Sequence, residues 1–133
     1  MIGKSTSHNR GFTLIEMMVV IAVILILLSI ALPIYSQTII HAREVTLRKN
    51  LETLNVAIAR YTLDKKKAPQ SLNDLMHVGY IESIPQDITG REDTWALEQD
   101  DSIFSLDQTD SGVSGVHSGS DQMGLDGTAY STW

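Results

Sequence analysis

The run Phe12–Leu32 (FTLIEMMVVIAVILILLSIAL) constrains this chain more than any other feature. Its 21 residues include only Thr13, Glu16 and Ser29 as polar members. At about 1.5 Å per residue, a helix of that length reaches roughly 31 Å, the thickness of a bilayer's hydrocarbon core. A buried soluble helix rarely runs so far without charge. The preceding MIGKSTSHNRG carries Lys4 and Arg10 and no acid. That basic flank predicts a cytoplasmic N-terminus and places the remainder of the chain outside the cytoplasm. A secretory signal would have a shorter apolar region followed by a small-x-small cleavage site, for which Ser29-Ile30-Ala31 is a poor match.

Composition narrows the rest. A chain of 133 residues has room for one small domain, not two. Ten Lys and Arg against 16 Asp and Glu give a formal charge of −6, which argues against a nucleic-acid-binding face. With no cysteine, a disulfide framework, a Cys-ligated zinc site and a thiol nucleophile are all excluded.

Glu16 is the anomaly. A carboxylate near the start of a membrane helix costs on the order of 2–3 kcal/mol, and such a group is a functional hypothesis by default. The plainer alternative is a first-turn acid favoured by the helix dipole near the headgroups.

The residues around it weigh on the choice. A basic leader, then Gly11-Phe12-Thr13-Leu14-Ile15-Glu16, then the apolar run with Pro33 after it, resembles the processing site of the type IV pilin and type II secretion pseudopilin superfamily. The resemblance is to its class III-type N-methylation signal. It implies that a membrane-embedded prepilin peptidase cuts between Gly11 and Phe12, and that Phe12 is then N-methylated. Phe12 and Glu16 stand four residues apart, on one face of a helix. Between axially offset subunits, the Glu16 carboxylate of one can meet the Phe12 ammonium of the next. Stranding either charge in low dielectric costs about 3–5 kcal/mol, so the pair would set assembly register.

Beyond the membrane run, Pro33 predicts a kink or a helix end, with a kink preferred because helical periodicity resumes at once. Ile40, Leu47, Leu51, Leu54, Ile58 and Tyr61 form an amphipathic stripe, with Arg43, Arg48, Lys49, Glu52 and Arg60 opposite. The stripe is expected to pack on the chain's own sheet, coiled-coil pairing being the alternative. The helix should end near 64–67, before Ala68-Pro69. A short second helix is expected from Ser71 as N-cap, with Asp74 three residues on, to His77 with Gly79 as its stop. The segment YTLDKKKAPQSLNDLMHVGYIESIPQD resembles the major pseudopilins in its sequence of helix end, Pro, short helix, Gly-Tyr and Ile-Pro-x-Asp. Thr94–Gln99 and Ser102–Leu106, joined by Asp100-Asp101, read as an antiparallel hairpin. The Gly/Ser/Asp-rich stretch after Asp107 has linker-like composition, yet it ends in a Tyr130/Trp133 pair that reads as a packing anchor.

Charge is segregated. Residues 41–67 hold seven basic and three acidic residues; residues 82–133 hold one basic and eleven acidic. Either these are solvated faces that happen to differ, or stem and head of neighbouring subunits are complementary. Removing a leader with Lys4 and Arg10 leaves eight basic against 16 acidic residues, a formal −8.

Little catalytic chemistry is legible. His8, His41, His77 and His117 are scattered, with no pair at helical metal-ligand spacing. Ser118, His117 and Asp121 can be picked as a triad, but nothing resembles a nucleophile elbow. The resemblance to major pseudopilins implies calcium in the C-terminal loop, held by Asp121, Asp126 and Ser118. The sequence departs from that pattern in offering one Asp where the family often has two. Plain turn residues remain the alternative for these positions.

The expected architecture is therefore α+β and type IV pilin-like: a long N-terminal helix, half membrane and half amphipathic, with a small C-terminal antiparallel sheet and loop. Its parts are a cleaved leader (1–11), a transmembrane and assembly helix (12–33), a stem helix (34–67) and a small head (68–133). The resemblance implies a non-enzymatic subunit anchored once in the bacterial inner membrane, N-terminus cytoplasmic and head periplasmic. After cleavage it would polymerise into a periplasmic pseudopilus driving type II secretion. Its partners would be further copies, the peptidase, an inner-membrane platform with its ATPase, and minor pseudopilins, with no nucleic acid. A surface type IV pilus or competence filament is the alternative in the same class. A signal-anchored periplasmic binding or enzyme module is the alternative in another.

Overall fold

The computed structural model describes residues 3, 11, 13–101, 106 and 109–133. The chain falls into two compact units, Met1–Thr38 and Ile39–Trp133. One helix, α1 (Leu14–Lys65), begins in the first unit and ends in the second.

In the first unit the apolar side chains of α1 are exposed without exception, from Leu14 at 80% to Val20 at 45%. The segment is long and apolar enough to cross a membrane. Pro33 lies inside the helix and does not end it. Ser29 and Ser36 turn their hydroxyls inward to the carbonyls of Ile26 (2.7 Å) and Pro33 (2.9 Å), so neither presents an unmet donor to an apolar surround.

The second unit is built on the amphipathic stripe. Leu47, Leu51, Leu54, Ala57, Ile58 and Tyr61 of α1 are buried in one cluster with Leu72, Leu75, Ile81, Trp95, Val113, Val116 and Tyr130. The stripe thus packs on its own head, as its period predicts, although Ile40 stays 39% exposed. The expected polar face, Arg43, Arg48, Lys49, Glu52 and Arg60, is exposed. Leu54 and Leu75 are wholly buried, sites where truncation to Ala costs about 2–5 kcal/mol.

α1 stops at Lys65 because Lys66 turns left-handed (φ 59°). Its carbonyl accepts from the Thr109 amide (2.7 Å) and hydroxyl (3.1 Å). α2 (Leu72–Val78) follows, with Ser71 at its N-cap. The Asp74 carboxylate accepts from the amides of Gln70 (2.9 Å) and Ser71 (3.1 Å). At the other end Gly79 adopts φ 91°, a conformation that a Cβ would strain.

β1 (Ala96–Asp100) pairs antiparallel with β2 (Gly112–His117), a strand the sequence reading did not expect. Residues 102–105 lie outside the described residues, and Leu106 is in a turn. Glu98 faces Gly115 while Gln99 faces Val113, so Ser114 is an extra residue on β2. This bulge resets the alternation and lets Val113 and Val116 both point into the core. Ser114 donates its hydroxyl to the Glu98 carbonyl at 3.1 Å. A 3₁₀ turn, Tyr130–Thr132, closes the head.

Candidate processing and assembly site

At the amino end the geometry is simple. Gly11 is exposed, and an added Cβ would meet nothing within 4 Å. α1 starts immediately after Thr13, whose hydroxyl accepts from the Glu16 amide (3.2 Å) and whose carbonyl accepts from Met17 (3.2 Å). Thr13 is therefore the N-cap, satisfying one of the helix's first donors. The Thr-x-x-Glu spacing announces such a cap, a signal the sequence reading overlooked. Glu16 is exposed in the first turn, where the helix dipole favours its charge. Phe12, its expected partner, lies outside the described residues.

Two buried carboxylates hold the head: Glu44, outside every motif quoted above, ties it to the stem, and Asp87, the acid of the Ile-Pro-x-Asp block, binds the head's own loops together. Glu44, 6% exposed, accepts from the Leu125 amide (2.7 Å) and the Tyr130 hydroxyl (2.9 Å) through one oxygen. It stands three residues before Leu47, in phase with the apolar stripe, and that register was its signal. Burial, then the Glu44 carboxylate, holds the Tyr130 phenol above its usual pKa. One turn on, Arg48 lies 3.9 Å from the Trp133 ring centroid. Trp133 in turn meets Tyr130 edge to face at 5.1 Å, so the terminal aromatic pair is an anchor.

Asp87, 4% exposed, gathers a second knot. One oxygen accepts from the Ser118 hydroxyl (2.6 Å) and Ile88 amide (2.6 Å), the other from the Thr94 hydroxyl (2.9 Å) and Gly119 amide (3.0 Å). Gly119 has to be glycine here, because a Cβ would collide with the Thr94 carbonyl.

These commitments bear on calcium. Ser118 is buried against Asp87. Asp126 accepts from the Thr128 hydroxyl (2.7 Å) and amide (2.9 Å), and its other oxygen faces Arg48 at 3.5 Å. Thr128 chiefly, with Arg48 beyond, holds the Asp126 carboxyl below its ordinary pKa. Asp121 is exposed and makes no hydrogen bond to either. Among the described residues no cluster of three His, Asp or Glu side chains is gathered for a metal. Ser118 and Asp126 are thus held by protein partners and are not hydrogen-bonded to Asp121, whereas a calcium cage needs six to eight converging oxygens. His117 is likewise committed, with Nδ1 2.6 Å from the Trp133 carbonyl oxygen and Nε2 3.3 Å from Glu98, rather than to Ser118 or Asp121.

Comparison with known proteins agrees with this layout. Residues 6–32 match the prokaryotic N-terminal methylation motif. Over 79 residues the chain is 34% identical to Competence protein ComGC of Halalkalibacterium halodurans, covering 59% of this chain and 78% of that protein. It is 31% identical over 74 residues to Type IV major pilin protein PilA of Myxococcus xanthus, covering 56% of this chain and 34% of that protein. With Type IV major fimbrial protein FimA of Dichelobacter nodosus it shares 39% over 64 residues, covering 48% and 40% respectively. No solved structure matches the chain.

A prepilin-type amino end, one long helix with an exposed apolar half, and a small α+β head together define a structural subunit rather than an enzyme. The chain belongs to the type IV pilin-like superfamily.

Proposed function

We propose that this protein is cleaved between Gly11 and Phe12, N-methylated at Phe12, and polymerised into the periplasmic pseudopilus of a type II secretion system. The observation that carries the filament reading is the pairing of a methylation motif with a helix whose apolar half is wholly exposed. So large an apolar surface needs first a bilayer and then neighbouring helices around it. Glu16 and the Phe12 amine supply recruitment between subunits. An inner-membrane platform with its ATPase drives addition, and minor pseudopilins are further partners. The secretion assignment is supported by the block from Tyr61 to Asp87 that resembles major pseudopilins.

A competence filament is the second reading, favoured by the similarity to ComGC across most of that protein's length. The mass of the N-terminal peptide, from membranes containing an active prepilin peptidase, tests the shared part. Methylated Phe12 is expected, and an intact Met1 leader refutes it. A deletion strain separates the two readings. Retention of exoproteins supports secretion, whereas loss of transformation with normal export supports the competence filament.

A further inference from the structure

Where α1 begins decides what kind of chain a peptidase meets. Leu14 is its first residue, and Gly11 and Thr13, which flank Phe12, both lie outside it and are exposed. Thr13 fixes that start: its hydroxyl accepts from the Glu16 amide at 3.2 Å and its carbonyl from the Met17 amide at 3.2 Å. Upstream, the sequence offers a second start at Asn9, a residue type that caps as well as Thr. A helix begun there would take Arg10, Gly11 and Phe12 into its first turn and set the Ile15 amide on the Gly11 carbonyl. That carbonyl is the group a peptidase must reach. Water adds to its carbon, the Gly11–Phe12 bond breaks, and a carboxylate on Gly11 and an amine on Phe12 result. A helix engages the carbonyl oxygen and winds the flanking side chains round its axis, so the bond is closed to attack there.

We propose that Thr13 is a positioning residue for leader removal: its cap holds the start of α1 beyond the Gly11–Phe12 bond and keeps that bond out of the helix. Thr13 need not touch the reacting atoms. It acts through the helix, by setting the fraction of chains whose scissile bond is free. A chain that is only fractionally competent binds with an apparent constant raised by the inverse of that fraction, while its turnover once bound is unchanged. A lost cap shifts such a balance about two- to thirtyfold. This inference rests on the processing reading and adds to it what keeps the bond accessible.

The test follows cleavage of the detergent-solubilised full chain by a purified prepilin peptidase, with rate measured against chain concentration. Thr13→Val, which keeps the shape and loses the hydroxyl, and Thr13→Ala are expected to raise KM about threefold or more with kcat unchanged. Thr13→Ser and Thr13→Asn, which restore a capping oxygen, are expected to stay within about twofold of the unmutated chain. The Asn variant separates capping from recognition of a hydroxyl by the peptidase. Unimpaired cleavage of Thr13→Val overturns the inference, as does a fall in kcat at constant KM. Slow cleavage of Thr13→Asn alongside Thr13→Val also overturns it. An unmutated chain left intact by a peptidase that cuts a control substrate instead refutes the processing reading itself.

Discussion

Asp87→Ala offers the sharpest test of how the head is held together. Four donors converge on this carboxylate, and they do not suffer equally from its loss. The Thr94 hydroxyl retains a 2.7 Å contact with Thr89, and the half-buried Ile88 amide is within reach of water. The Ser118 hydroxyl, completely buried, loses its acceptor outright, whereas Gly119 is exposed and its amide can turn to water. A buried donor left unpaired costs about 1–3 kcal/mol, and a bond to a charged group is worth about 1.5–3. The expected destabilisation is therefore on the order of 2–4 kcal/mol. That is a large share of the roughly 5–15 kcal/mol that holds a small domain. Urea unfolding of the detergent-solubilised full chain measures it. Fluorescence of Trp95 is the probe, since its indole is buried and donates to the Pro85 carbonyl at 2.8 Å. In Asp87→Ala/Ser118→Ala one stranded donor is gone, so the double variant should be less unstable than the two losses added. A loss below about 1 kcal/mol for Asp87→Ala, or strict additivity with Ser118→Ala, would show that the knot is not what secures the head.

Further outcomes follow from the same geometry. Gly11→Val should block leader removal, read by N-terminal peptide mass, while head stability is unchanged because Gly11 touches nothing; normal cleavage refutes this. Glu16→Ala should leave cleavage intact and reduce filament by about a hundredfold or more if stranding the Phe12 ammonium costs 3–5 kcal/mol; undiminished filament refutes the pairing. Tyr130 has a raised phenol pKa in the fold, so its contribution is fully present below about pH 10 and is lost as pH climbs through the folded value. Tyr130→Phe should accordingly be less stable at neutral pH and flatter in its alkaline decline, as measured by denaturation from pH 8 to 12. An equally steep decline refutes the assignment. With Ser118 and Asp126 committed elsewhere, melting in calcium and in chelator should coincide; a calcium-dependent rise abolished by Asp121→Ala would return the cation to the loop.

What could be read from sequence was whatever repeats at a helical period or announces itself locally. The stem stripe was visible because Leu47, Leu51, Leu54, Ile58 and Tyr61 recur on one face, and α2 because Ser71, Asp74 and Gly79 bracket it. β2 was hidden for two reasons. GVSGVH has the composition of a linker, and the Ser114 bulge puts both valines in the core at a spacing that no regular strand allows. Asp87 was visible as the acid of the Ile-Pro-x-Asp block, but its role was not, because its donors come from Thr94, Ser118 and Gly119, which no local pattern links to it. Glu44 was half visible, in phase with the stripe but of the wrong polarity for it. The amino-end site was the most legible part, since its chemistry is compressed into six consecutive residues, Gly11 to Glu16.

The grip of Glu44 on Leu125 and Tyr130 also has a consequence for the order of events in the cell. These bonds span 81 and 86 residues, so the head's topology is dominated by contacts distant along the chain, the kind that form last and slowly. α1 is made before the residues that cover its Leu47–Tyr61 stripe, of which Val113, Val116 and Tyr130 come well after it in the chain. If export delivers the chain in order, the stripe emerges well before Val113, Val116 and Tyr130 can close over it. For that interval the subunit offers apolar helix to every neighbour. Completion of the head is then the step that covers the stripe.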